Sequence, residues 1–152
     1  MEEAVTNAVE ELKRVDHLIY VSLKYTRTVD VIRSIIKRLM DSYDAIIDGF
    51  LIKLEEENKI IDIPLAPMLK VNLVKENYDD EEIKEGLDFY LYLRKLYRAE
   101  YTSSGEFRKK VMMSSKMDDK IIETKMDTVL EFYEKTKVFM HHIRDNYCAE
   151  NE

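Results

Sequence analysis

The chain has 152 residues, 36% of them charged, with one cysteine and a net charge of −7 at pH 7. This length fits one domain over residues 1–152, and a single Cys148 excludes an internal disulfide. The negative charge argues against a broad nucleic-acid-binding surface, and no apolar run approaches the ~20 residues of a membrane span. The acidic start Met1–Ala4 lacks a signal-peptide pattern, so we expect a cytoplasmic protein with no membrane partner.

Apolar residues recur in steps of three and four along most of the chain, and only 3 Gly and 2 Pro interrupt it. This pattern predicts an all-α fold, an antiparallel bundle of four to five helices. The first helix is predicted from about Glu3 to Lys24. Thr26 and Thr28 are candidate caps for the next helix.

The second predicted helix, from Val29 to about Asn58, carries the longest apolar stripe in the sequence. A helix of this length needs partners along its whole extent, which favours a bundle. Gly49 lies inside it, although a mid-helix glycine costs about 1 kcal/mol relative to alanine. We therefore expect a neighbouring helix to approach closely at Gly49.

Both prolines lie in an extended connection, and Pro67 is predicted as the first residue of a short helix that ends at Asn77. Asp79 and Glu82 have the spacing of a capping box for a fourth helix, which is predicted to run to about Tyr101. The segment Thr102–Gly105 is expected to end it.

The fourth predicted helix is apolar or aromatic on nearly every side. Such a helix is either the centre of the bundle or has one flank against a second subunit. Tyrosine is well suited to partly hydrated interfaces, and the chain has 10 Tyr and no Trp. The residues that give the helix this character are Phe89, Tyr90, Leu91, Tyr92, Leu93, Leu96 and Tyr97.

The segment 106–126 has two interpretations. Apolar residues alternate with basic ones before a turn-like segment Met117–Lys120, so a small β-hairpin between the last two helices and a short helix with a loop both fit. The last helix is predicted from Asp127 to near Cys148.

No glycine-rich phosphate loop, nucleophile elbow or paired-cysteine zinc spacing is present in the sequence. We assign no catalytic residue, no metal ligand and no cofactor. His141 and Asp145, four residues apart on one helix face, are the one pair that suggests two metal ligands. Exposed polar residues near a helix C-terminus explain this pair as well.

Asp41, Asp44 and Asp48 lie on one side of the second helix, where like charges repel. A solvated face, pairing with a cation of a neighbouring helix, and a cation site all fit this pattern. Arg94 interrupts the apolar stripe of the fourth helix, and Arg98 follows one turn later. We hypothesise that Arg94, with Arg98, meets Asp44 or Asp48 between the helices, because a buried guanidinium needs a carboxylate. Alternatively, Arg94 extends its head group to water.

The segment from Asp44 to Leu51, with small and apolar residues in an early long helix, is similar to the pattern of the HEPN superfamily. The resemblance implies a helical bundle and an RNA-processing or toxin–antitoxin role. Active HEPN ribonucleases carry an arginine followed by a histidine with four to six residues between them. Arg14 and His17 have the right order but only two intervening residues, so ribonuclease activity does not carry over.

The sequence therefore predicts a non-catalytic bundle that acts through protein–protein contacts, as a homodimer or with another protein. The alternative is a HEPN-like protein that binds RNA or nucleotide through a local basic patch of Arg94, Arg98 and Arg108. A metal-dependent enzyme using His141 and Asp145 is the third possibility. The candidate interaction residues are Asp44, Asp48, Tyr90, Arg94, Tyr97 and Arg98.

Overall fold

The computed structural model describes residues 1–22 and 27–148. These residues are 69% helical and form five α-helices with one three-stranded antiparallel sheet. The helix-rich prediction is confirmed, but the sheet means that the fold is not all-α. The elements in chain order are α1 Glu2–His17, α2 Val29–Glu56, α3 Pro67–Asn77, α4 Glu81–Arg98, β1 Tyr101–Ser104, β2 Met112–Met117, β3 Lys120–Lys125 and α5 Met126–Tyr147. Within these described ranges, none of the helices combines the length and apolar character needed to cross a bilayer.

Helix α2 is the centre of the bundle, since it contacts each of the other four helices and β2. It is about 42 Å long at 1.5 Å per residue. Thr28 caps it as expected, because its hydroxyl accepts a hydrogen bond of 3.2 Å from the backbone N–H of Val31. Of the two interpretations of the fourth predicted helix, the one that placed it at the centre of the bundle is thus wrong. That helix, α4, buries one face and leaves Tyr92 exposed.

Helix α1 ends at His17 and continues as a π-helical turn, Leu18–Ser22. The predicted end at Lys24 and the cap at Thr26 fall outside the described residues. The expected close approach at Gly49 is confirmed, because a Cβ there would overlap the Cβ of Ala4 on α1.

Helix α3 has the predicted bounds, whereas α4 differs from its prediction at both ends. Its cap is Asp80 instead of Asp79, and the Asp80 carboxylate accepts from the backbone N–H groups of Glu82 and Ile83. It ends at Arg98 and not near Tyr101. The cause is the sheet, since the backbone from Tyr101 onward is extended and pairs with β2.

The sheet has the order β1-β2-β3. The hairpin interpretation of residues 106–126 is confirmed, and the short-helix alternative is wrong. Asp118 and Asp119 form the two-residue turn between β2 and β3, and both have positive φ angles, 48° and 65°. Positive φ at both central residues is the requirement of a type I′ turn, which matches the twist of paired strands. Strand β1 was not predicted.

Arg33 of α2 connects the helices to the sheet. Its guanidinium lies 4.3 Å from the ring centroids of both Tyr97 and Tyr101. The same group donates a hydrogen bond of 3.0 Å to the backbone carbonyl of Tyr97. This contact fixes the chain at the point where α4 ends and β1 begins.

Candidate functional site

A groove of about 840 Å³ lies between α4, the first turn of α3 and the β2–β3 hairpin. We call it the α4 groove. Along its base run residues of α4 spaced three or four apart, which therefore share one helix face. Pro67 and Met68 border it on one side, and Lys116 and Met117 border it on the other.

The α4 groove has a positive charge in a chain of net charge −7. Four cationic side chains, Arg94, Lys95, Arg98 and Lys116, line it, against the carboxylates Asp88 and Asp118. Both carboxylates are neutralised, because Lys95 pairs with Asp118 and Lys75 of α3 pairs with Asp88.

The other three cations of the groove have no such neutralising partner. Within residues 1–22 and 27–148, no ion pair within 4.0 Å involves Arg94, Arg98 or Lys116. A ligand in the groove therefore meets the positive charges of Arg98 and Lys116, whereas the charge of Arg94 also acts on the Asp44 carboxylate.

The groove also exposes apolar surface. Leu91 and Tyr92 of α4 lie at its base, next to Met68 of α3 and Met117 of β2. Leu91 and Tyr92 are two of the residues that gave the fourth predicted helix its apolar character. Cationic and apolar side chains thus line the same groove.

A second feature adjoins the groove, in the connection between α2 and α3. Ile60 and Ile63 are partly buried against the core, whereas Ile61 and Leu65 are 91% and 93% exposed. Pro64 and Pro67 restrict the φ angles at their own positions in and after this connection. We call Ile61 and Leu65, together with the exposed Leu69 in the first turn of α3, the apolar arm.

The structure separates the carboxylates and arginines that the sequence suggested as partners. Asp44 of α2 accepts a hydrogen bond from the Tyr90 hydroxyl of α4. Asp48 pairs with Lys70 of α3, whose Nζ lies 2.9 Å from Asp48 Oδ1. No ion pair within 4.0 Å joins Arg94 to either carboxylate in the described chain. Of the three α2 carboxylates, Asp48 alone pairs with a cation of a neighbouring helix, whereas Asp44 accepts from a neutral hydroxyl and Asp41 pairs with Lys37 of α2 itself.

Arg94 still influences this cluster electrostatically. Desolvation raises the pKa of Asp44 above its usual range, while the Tyr90 hydrogen bond and the positive charge of Arg94 act in the opposite direction. Burial and the Asp44 carboxylate raise the pKa of Tyr90. Arg94 itself is half-buried and lies 5.8 Å from the centroid of the Tyr90 ring.

A polar cluster that the sequence did not reveal joins the start of α4 to the end of α5. Asp80 Oδ2 lies 2.7 Å from His142 Nε2 and accepts a hydrogen bond of 2.6 Å from the Tyr147 hydroxyl. Glu82 Oε2 is 3.1 Å from the other ring nitrogen of His142. Burial alone would raise the pKa of Asp80, but hydrogen bonds from Tyr147, His142 and the Ile83 N–H outweigh it and lower that pKa. His142 and Tyr147 are 62 and 67 positions from Asp80 in the chain, so no local sequence pattern indicated these contacts.

The remaining sequence candidates occupy other places. The ring of Tyr97 packs against the guanidinium of Arg33. Arg108 lies outside the α4 groove. His141 Nδ1 is 2.8 Å from the guanidinium of Arg144. Across the ranges 1–22 and 27–148, no group of three or more His, Cys, Asp or Glu side chains is arranged to hold a metal ion.

Comparisons of the chain with protein-family models, with curated proteins and with solved structures found no match. The candidate site is therefore defined by geometry and charge alone.

Proposed function

We propose that the chain is a non-catalytic helical-bundle protein of the cytoplasm that acts through protein–protein contacts, with a homodimer as its basic unit. The observation that carries this proposal is the apolar arm, where Ile61 and Leu65 are 91% and 93% exposed on a backbone restricted by two prolines. Fully burying one such side chain contributes about 1.5–3 kcal/mol. A surface of this kind is a candidate interface.

A second copy of the chain is a suitable occupant of the arm, because apolar side chains on a two-fold axis meet their own equivalents. Contact between two arms places isoleucine and leucine against the same residues of the other copy. This surface borders the α4 groove at Met68 but does not include the groove. The proposed interface is therefore the arm itself.

Light scattering of the purified chain at micromolar concentration tests this proposal. We expect the mass of a dimer for the natural chain and of a monomer for the double variant Ile61→Asp, Leu65→Asp. The matched control is Ile121→Asp with Val138→Asp, two residues that are each 64% exposed outside the arm. This control should remain dimeric. A monomer mass for the natural chain contradicts the homodimer.

An alternative function is HEPN-like binding of RNA or nucleotide through a basic patch. The positive charges of Arg94 and Arg98 in the groove support it, while Arg108, the third residue of the predicted patch, lies outside the groove. Gel-shift titration with a single-stranded RNA at low salt tests this alternative, since phosphate binding is strongest there. The absence of a shift at low salt contradicts it.

A further inference from the structure

We propose that the α4 groove binds an acidic segment of a partner protein, in which carboxylate side chains are interspersed with apolar ones. The inference rests on one part of the proposed function, namely that the chain acts through protein contacts. It does not depend on the homodimer, because Ile61 and Leu65 do not line the groove.

Charge complementarity is the first argument. Lys95 is already neutralised by Asp118, whereas the head groups of Arg94, Arg98 and Lys116 have no carboxylate within 4.0 Å among residues 1–22 and 27–148. In a chain of net charge −7, most of the surface repels an acidic ligand. The groove therefore favours an acidic segment because its own charge is positive while the net charge of the chain is negative.

Apolar complementarity is the second argument. Leu91 and the exposed Met68 line the same groove as the cations, and the flexible methionine side chain can adapt to aliphatic side chains of a ligand. A ligand with carboxylates alone would leave this surface in contact with water. A segment with both kinds of side chain satisfies the charges and covers the apolar atoms together.

The size of the groove matches a short peptide. The α4 residues that line the groove extend from Asp88 to Arg98, a distance of about 15 Å at 1.5 Å per residue. An extended peptide rises about 3.3 Å per residue, so roughly five residues fit along the base. Successive side chains of an extended peptide alternate in direction. Such a segment can therefore direct carboxylates to Arg98 and Lys116 while apolar side chains contact Leu91.

Two other occupants fit less well. A two-fold contact of the groove with itself would bring Arg98 and Lys116 against the same cations of the second copy. An RNA strand carries a charge at every nucleotide and has no aliphatic side chain to cover Leu91 and Met68, which line the same groove. A peptide avoids both conflicts because its charges can be spaced to meet the cations alone.

The experiment is a display selection of random peptides of about twelve residues on the immobilised natural chain, at low salt, where charge pairing is least screened. We expect the enriched peptides to contain Asp or Glu together with Leu, Ile or Phe. Their affinities are then measured by fluorescence anisotropy. In the double variant Arg98→Glu, Lys116→Glu, binding should weaken at least about tenfold. The control Lys109→Glu, Lys110→Glu makes the same charge change outside the groove and should bind normally.

Each result of the selection decides the inference. Failure to enrich, enrichment of peptides without carboxylates, or equal affinity of the groove variant overturns it. Circular dichroism and light scattering of the same variants separate this result from misfolding and from loss of the dimer. A groove variant that remains folded and dimeric but loses the peptides confirms the inference. A single-stranded RNA that displaces the bound peptide from the natural chain would instead assign the groove to phosphates.

Discussion

The hydroxyl of Tyr90 on α4 donates a hydrogen bond to the carboxylate of Asp44 on α2. This bond joins the two helices at the position where the sequence suggested an arginine–carboxylate pair. Tyrosine is the better partner here because desolvation disfavours the Asp44 charge, and an adjacent hydroxyl stabilises the carboxylate without introducing a second buried charge. Arg94 acts on Asp44 through its positive charge.

The first prediction concerns this bond. Tyr90→Phe should lower the free energy of unfolding by about 1.5–3 kcal/mol, the usual contribution of a hydrogen bond to a charged group. Arg94→Ala should lower the free energy of unfolding by less than Tyr90→Phe does. This loss is below the ~3–5 kcal/mol expected for breaking a buried ion pair. Urea unfolding of both variants, alone and combined with Asp44→Ala, measures the couplings. A larger coupling of Asp44 to Arg94 than to Tyr90 would contradict the assignment.

The second prediction concerns pH. The pKa of Asp80 is lowered in the folded chain, so its contribution is present above its ordinary pKa and is lost as pH falls through the lowered value. Tyr147→Phe removes one hydrogen-bond donor to Asp80 and should reduce this acid-dependent loss. The urea midpoint of each protein, followed from about pH 6 to pH 2, measures the difference. The control Tyr92→Phe should leave the pH dependence unchanged, and identical profiles for all three proteins would contradict the role of Asp80.

The third prediction concerns Gly86 of α4. A Cβ at this position would overlap the ring of Phe139 on α5, which packs 4.9 Å from the ring of Tyr43. Gly86→Ala should therefore lower the free energy of unfolding by about 1–3 kcal/mol despite its gain in helix propensity. The double variant Gly86→Ala, Phe139→Leu should lose less free energy of unfolding than the two single variants lose in total. Strict additivity, measured by urea unfolding, would show that the ring does not limit the space at Gly86.

The fourth prediction concerns the turn of the hairpin. Asp119 has a φ angle of 65°, where glycine avoids the strain that a Cβ imposes. Asp119→Gly should raise the free energy of unfolding by about 0.5–1 kcal/mol and leave the Lys95–Asp118 pair intact. Glu123→Gly in β3 removes the same charge at an exposed position and should destabilise the chain. Thermal unfolding that ranks these two variants in the opposite order would contradict the type I′ turn.

Local rules were sufficient for much of the fold. Thr28 as a cap, Pro67 as the start of α3 and the close approach at Gly49 follow from the chemistry of single residues in known positions. The hairpin was visible as an alternation flanking Met117–Lys120, although the sequence alone left a short helix equally possible. Such features are fixed by a few neighbouring residues and appear directly in the sequence pattern.

Features set by distant pairing were not accessible in this way. Strand β1 forms because Tyr101 and its neighbours pair with β2, whereas the sequence pattern indicated only that the fourth helix ends at Thr102–Gly105. The partners of Asp44 and Asp48 depend on how α3 and α4 rotate against α2, which no spacing on α2 determines. The groove requires α3, α4 and the hairpin together. Its cations were recognisable in sequence, but Lys116 was not connected with Arg94 and Arg98.

The central position of α2 has a consequence for any attempt to divide the protein. Each of the other four described helices contacts α2, so the apolar core is assembled around this one helix. A cleavage between Ile61 and Leu65 would leave α1 and α2 in one fragment and α3 to α5 in the other. Neither fragment would have a complete core. We expect the two pieces to be insoluble or unfolded alone and to recover helicity only when mixed, as complementing halves of one cooperative unit.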